Sequence, residues 1–279
     1  MSEIKISAAD VKKLRDQTGA GMMDCKKALN ESGGNFDDAI AYLRKKGQKV
    51  ANKRADREAK EGVVIAKVAG DNKTGIVIKL SSETDFVAKN QDFIDLADKI
   101  ANIAITKMPE SKEAMLALEF GEGMTVGDKV IERSGVIGEK IELANFETLK
   151  ADMVVSYIHM GYKAGVVVGL NKASADFEQA GKDVAMQVAA MKPLAVDKDG
   201  IDSSVVEKEI EIGKEQARAQ GKPEAMLEKI AMGKLGKFYK ENTLMNQIFV
   251  KDGKATVAQY LQSLDKDLIV TDFKHVALG

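Results

Sequence analysis

A chain of 279 residues exceeds what one hydrophobic core usually organises, so two or more domains are expected. Apolar residues at 44% supply real cores, and a formal net charge of −1 excludes a whole-molecule attraction for nucleic acid. A single cysteine excludes an internal disulfide framework, and no apolar run reaches the length of a membrane span. The amino terminus, Met1-Ser2-Glu3-Ile4-Lys5, lacks the apolar core of a secretory signal and the arginines of a transit peptide. A cytoplasmic location is therefore expected, with no membrane contact.

Residues 7–47 read as three short helices. Ser7 with Asp10 is an N-cap signal, and Val11 and Leu14 begin an apolar stripe that Gly19 can stop in a left-handed conformation. A second helix carries Met23, Ala28 and Leu29 and stops at Gly33-Gly34. Asn35 caps a third, with Phe36, Ala39, Ile40 and Leu43 on one face and Gly47 after it. Met22 and Met23 open the second helix and read equally as core or as adaptable partner surface. Cys25 has no histidine near it in sequence and reads as structural. Arg44 to Lys60, with eight basic residues, reads as a solvated helical linker, a ribosomal or nucleic-acid contact being the alternative.

From Gly62 the period changes to two. Val63–Val68 and Gly75–Leu80 form a hairpin around Gly70–Thr74, and a helix over Asp92–Ala104 follows with Phe93, Leu96, Ile100 and Ile103 on one face. Further helices are expected over Ser111–Leu118 and Thr125–Ile137, then a strand over Ile141–Phe146. The unit recurs: Met153–Ile158 and Gly165–Leu170 form a second hairpin, Asp176-Phe177 follows, then a helix with Val184, Ala185, Val188 and Met191. Gly75 matches Gly165, a period of about 90 residues. The fold class is therefore α+β, with two similar antiparallel sheets, each with helices on one face. Between them and the carboxy-terminal helix (Val257, Tyr260, Leu261, Leu264) and strand (Asp267–Phe273) lies a helical insert. There Ser204 with Glu207 reads as a capping box, and Val206, Ile210, Gly213, Ala217 face Leu227, Ala231, Leu235, Phe238 as the seam of an antiparallel hairpin or coiled coil. The expected division is 1–56, 57–150, 151–195 with 242–279, and the insert 196–241.

The polar connection Ser81–Asn90 carries a phenylalanine beside an aspartate. Phe86 either folds onto the core while Asp85 caps the next helix, or stands out as an aromatic wedge with an acidic partner. No catalytic constellation is present: two histidines and one cysteine make no typical zinc site, and there is no Gly-x-x-x-x-Gly-Lys-Ser/Thr phosphate loop and no Gly-x-Ser-x-Gly. A non-enzyme without cofactor or metal is expected.

Three stretches resemble the bacterial elongation factor Ts family, guanine-nucleotide exchange factors of elongation factor Tu. They are Leu14-Arg15-Asp16-Gln17-Thr18-Gly19-Ala20-Gly21-Met22-Met23-Asp24-Cys25-Lys26-Lys27-Ala28-Leu29, then Thr84-Asp85-Phe86-Val87-Ala88-Lys89, then Gly221-Lys222-Pro223 through Glu228-Lys229-Ile230 to Lys237-Phe238-Tyr239. They stand in the family's order, and the resemblance runs from about Ile6 to Phe273. It implies a ubiquitin-associated-type three-helix module that docks on the partner's nucleotide domain through Arg15, Met22 and Met23. It implies a wedge made of Thr84, Asp85, Phe86 and Val87, and a contact by His159 in the second hairpin turn. It also implies that the helical insert docks on the partner, GDP-bound or nucleotide-free, or on a second copy of the chain. The second repeat lacks Thr-Asp-Phe-Val around Asp176-Phe177, so the wedge is assigned to the first. Two departures stand out: Ala144-Asn145 replaces an arginine pair common in the family, and the chain stops at Gly279 soon after the closing strand Asp267–Phe273, so the grip of the family's carboxy-terminal helix on the partner is expected to be absent. The rival reading is a non-catalytic binding module or scaffold with no effect on nucleotide exchange.

Overall fold

A computed structural model describes residues 6–121 and 123–279. The chain divides into two compact units: Met1–Ile65 with Ile78–Glu147 and Ala277–Gly279, and Ala66–Val77 with Thr148–Val276. The class is α+β with small antiparallel sheets.

In the first unit α1 (Ala8–Thr18) starts at Ser7, whose hydroxyl and backbone N–H complete a reciprocal capping box with Asp10. It ends at Gly19, whose φ of 71° suits glycine. Helices α2 (Met22–Glu31) and α3 (Phe36–Lys53) follow, Asn35 capping the latter. Val11, Leu14, Ala20, Cys25, Ala28, Leu29 and Ala39 close into one buried cluster. Next along the chain come β1 (Glu61–Val68) and β2 (Thr74–Ser82), of which the stretch Ala66–Val77 is counted with the second unit, then the single turn α4 (Asp85–Ala88), α5 (Gln91–Lys107) and α6 (Lys112–Ala117). Helix α5 buries Phe93, Leu96, Ile100 and the alanines between them, while Ile103 stays half-buried. A minimal pair, β3 (Glu119–Gly121) and β4 (Met124–Thr125), leads into α7 (Val126–Ile137), and β5 (Glu142–Lys150) completes a sheet of order β1-β2-β5.

Helix α3 does not stop at Gly47, as its sequence suggests. Gly47 is buried against α7, and a Cβ added at Gly135 would lie 2.2 Å from the Gly47 Cα. Two helix backbones meet where neither carries a side chain, so the glycine serves close packing rather than termination.

In the second unit β6 (Met153–His159) and β7 (Ala164–Leu170) pair antiparallel, from Met153 opposite Leu170 to His159 opposite Ala164. Helix α8 (Glu178–Met191) packs on this hairpin through Val184, Ala185 and Val188; Met191 is exposed rather than core. Helices α9 (Ser203–Ala219) and α10 (Glu224–Asn242) lie side by side, with Gly213 against Ala231 and ion pairs Lys214–Glu228 (2.8 Å) and Arg218–Glu224 (2.9 Å). Asp202, not Ser204, caps α9: its carboxylate accepts from the Ser204 N–H, and Ser204 is already helical. Helix α11 (Val257–Leu264) and β8 (Val270–Ala277) finish the unit, whose sheet order is β6-β7-β8. Both three-stranded sheets therefore place the second strand of their hairpin in the middle.

Candidate functional site

Strand β2 ends at Ser82, and the chain then makes one turn of helix before α5 begins at Gln91. Thr84 is the N-cap of that turn, its hydroxyl accepting weakly from the Val87 N–H at 3.5 Å. Ala88 is the buried residue of the turn, which leaves Phe86 pointing away from the core at 84% exposure. Of the two readings of Phe86, the folded-back one is excluded. An exposed phenylalanine gains no burial free energy in the free protein, so its apolar surface is available to a partner.

The loop is held by two carboxylates. Glu83 accepts from Arg54 Nη1 at 2.8 and 2.9 Å and from the Lys140 N–H at 2.6 Å. Burial pushes the Glu83 carboxyl up, but the Lys140 N–H and the Arg54 guanidinium outweigh it, and the net shift is below the ordinary value. Glu139 accepts from the Thr84 N–H at 3.0 Å and the Thr84 hydroxyl at 2.8 Å. The Ser82 hydroxyl donates to the Thr84 carbonyl at 3.0 Å. The end of α3, the end of β2 and the residues after α7 thus converge beneath Phe86. Asp85 is paired with Lys89 at 2.5 Å, one helical turn on, which holds its carboxyl below the usual range.

Beside this turn opens a cleft of about 370 Å³ bordered by Phe86, Val87, Phe93, Leu96, Val136 and Ile137, with Gly19, Asn90, Asp92 and Arg133 completing its wall. Gly19 brings the α1–α2 connection to the same cleft. Met22 and Met23 are 46% and 76% exposed and Arg15 is exposed, although none of the three lines the cleft. Both methionines are thus surface rather than core. Cys25 is fully buried, and burial pushes its thiol up, which suits a packing role.

His159 ends β6 in the second unit, where its Nδ1 lies 3.0 Å from the Tyr157 hydroxyl. Phe177, which stands in the second repeat where Phe86 stands in the first, packs against the core instead. Among the described residues no group of three or more His, Cys, Asp or Glu is arranged to hold a metal ion, and no helix is long and apolar enough to cross a membrane.

Glu83, Glu139, Arg54 and Arg133 escaped sequence reading. The first three act across 29 and 55 or more residues of chain, a separation that no local motif encodes.

Comparison with known proteins gives a consistent result. The profile of one family, described as Elongation factor TS, matches residues 83–279. A protein from Christiangramia forsetii named Elongation factor Ts is 54% identical over 275 residues, covering 99% of both chains. Proteins of the same name from Flavobacterium psychrophilum and Cytophaga hutchinsonii are 54% and 52% identical, each covering 98% of this chain and 99% of its own length.

Proposed function

The chain belongs to the elongation factor Ts family, and from that premise we propose that it is the guanine-nucleotide exchange factor of elongation factor Tu, acting in the cytoplasm on the GDP-bound form. It makes and breaks no covalent bond; it changes the nucleotide state of another protein. The observation that carries the reading is the exposed Phe86 on a doubly clamped turn.

Phe86 is the anchor. Burying it in a partner pocket contributes roughly 1.5–3 kcal/mol. Part of that stabilises a displaced arrangement of the partner's magnesium and phosphate contacts. A magnesium ion in the partner would demand a near-ideal octahedral shell, so displacing its ligands would weaken the hold on the ion and on GDP together. Asp85 acts beside it near the ion, and Thr84 and Val87 frame the turn. Coupling is reciprocal, so GDP weakens the factor as much as the factor weakens GDP, and GTP entry frees the factor. The three amino-terminal helices, read as a ubiquitin-associated-type module, dock on the nucleotide domain through Arg15, Met22 and Met23. His159 adds a contact from the second sheet. Helices α9 and α10, read as a coiled-coil arm, dock on the partner or on a second copy of the chain.

Stopped-flow release of a fluorescent GDP analogue from elongation factor Tu, with and without this protein, tests the reading. Accelerated release is expected. Binding without acceleration would leave the scaffold reading in its place.

A further inference from the structure

The cleft beside Phe86 holds a charged group with no role so far. Arg133, toward the carboxy-terminal end of α7, is half-buried on its wall. Among the described residues its guanidinium makes no hydrogen bond and no ion pair, and its Nε is shielded from solvent without an acceptor. Such a donor is costly unless something completes it, and buried donors in folded proteins are nearly always completed. Asp92 borders the same cleft but accepts nothing from it. Gly19 leaves the approach open: a Cβ there would stand 3.0 Å from Arg133 Nη1.

We infer that this cleft receives a carboxylate side chain of elongation factor Tu, carried on an apolar segment and bound by the Arg133 guanidinium while Phe86 enters the partner. The inference rests on the exchange-factor reading above. Two features select the occupant. A bare guanidinium is complementary to a carboxylate, which it grips with charge-assisted hydrogen bonds. Five further wall residues, Val87, Phe93, Leu96, Val136 and Ile137, are apolar and fit an apolar carrier. Phe86 itself borders the cleft, so a surface that buries Phe86 passes within reach of Arg133. Docking is then two-way, with a wedge going out and an acidic residue coming in.

The test uses the full chain and nucleotide-free elongation factor Tu, with affinity measured by calorimetry at low and high salt and stability by urea unfolding. Arg133→Met should weaken binding about tenfold or more. Its unfolding midpoint should hold or rise, because an uncompleted donor has been removed; a purely structural arginine would give the opposite. Arg133→Lys should recover part of the affinity, and salt should weaken the wild type more than Arg133→Met. Neutralising the matching acidic residue of the partner should weaken the wild type and leave Arg133→Met unchanged. Arg133→Gln carries the same comparison should Arg133→Met fail to fold. Affinity of the methionine variant within twofold of wild type, Arg133→Lys no tighter than Arg133→Met, or no acidic residue of the partner coupled to Arg133, would overturn the assignment. A wild type that does not bind elongation factor Tu at all would overturn the parent reading with it.

Discussion

Phe86 and Phe177 occupy equivalent places in the two repeats, and they differ because of what stands around them. Phe177 sits in a short 3-10 turn and packs, half-buried, against the second core, whereas Phe86 sits on an α-turn that buries Ala88 in its stead. Truncating Phe86 to alanine should therefore leave urea stability within about 0.5 kcal/mol of wild type. The same change should slow stimulated GDP release clearly, since losing an interface anchor commonly costs about 2 kcal/mol or more of binding. A destabilised variant whose folded fraction still exchanges normally would remove Phe86 from the mechanism. Glu139 is a positioning residue for that turn. Its two oxygens receive two donors of Thr84, so Glu139→Gln presents an NH2 to one of them and loses a hydrogen bond worth about 1–3 kcal/mol when left unmet. Slower exchange is expected, together with faster hydrogen exchange at the Thr84 amide while the amides of α5 stay protected. An unchanged Thr84 amide would dispose of the clamp. The exposure of Phe86 was legible in sequence only as one of two readings of a phenylalanine in a polar connection, and the resemblance favoured that one. Glu139 and Arg133 were not legible: in sequence each is one more charged residue at a helix end.

Among elements, α3 and α7 show a local signal overridden by tertiary packing. Glycine at 47 argues for a helix end, yet the helix continues to Lys53 because Gly47 and Gly135 let the two backbones approach. Gly135→Ala would push a methyl into backbone, which cannot swing aside, and should destabilise by about 1–3 kcal/mol. Gly236→Ala in α10 supplies the control. Nothing lies within 4 Å of its added Cβ, and it should stabilise by about 0.5–1 kcal/mol through helix propensity. Urea midpoints moving in the same direction for both would refute the packing account. The carboxylate of Glu83 ties the end of α3 to the residues after α7, and this tie depends on pH. Its folded-state pKa lies below the ordinary glutamate value of 4.5. Its stabilisation is therefore complete above 4.5 and is lost as pH falls through the lower folded value. Glu83→Gln should flatten the loss of stability between pH 5 and the acid limit, in melts recorded alongside wild type; an identical slope would show that Glu83 titrates as it does unfolded. The strands β3 and β4 went unseen in sequence because three and two residues offer no alternation to detect. The sequence places the cap of α9 two residues too late, since Asp202 and Ser204 both bear capping side chains and the first takes the role.

At the scale of the molecule, the repeat of about 90 residues was the most legible feature, because it writes the same hairpin and helix pattern twice. The insert between α8 and α11 is the part that breaks the repeat, and its attachment tells whether it is separable. The chain leaves and returns through a narrow neck: Ala195 bridges Thr243, the Leu194 N–H donates to the Asn242 carbonyl at 2.8 Å, and the Leu244 N–H donates to the Ala195 carbonyl at 2.9 Å. The buried positions of α9 and α10, Gly213, Ala217, Leu227, Ala231 and Leu235, cover one another, and none belongs to the second unit's core cluster. Tyr239 and Glu241 are different, because their carbonyls accept from the Thr243 hydroxyl and the Gln247 amide. Replacing residues 203–237 with a short Gly-Ser linker should therefore leave that core intact. The neck already holds the ends together, so closing the shortened loop adds little entropy cost. The melting temperature should stay within about 4 °C of wild type, as expected for a change near 1 kcal/mol in a chain of this size. Circular dichroism should lose helix signal and keep the strand contribution. A variant that melts broadly, or binds a hydrophobic dye at room temperature, would mean that α9 and α10 hold the second core together, and the insert would then be part of the fold rather than an arm carried by it.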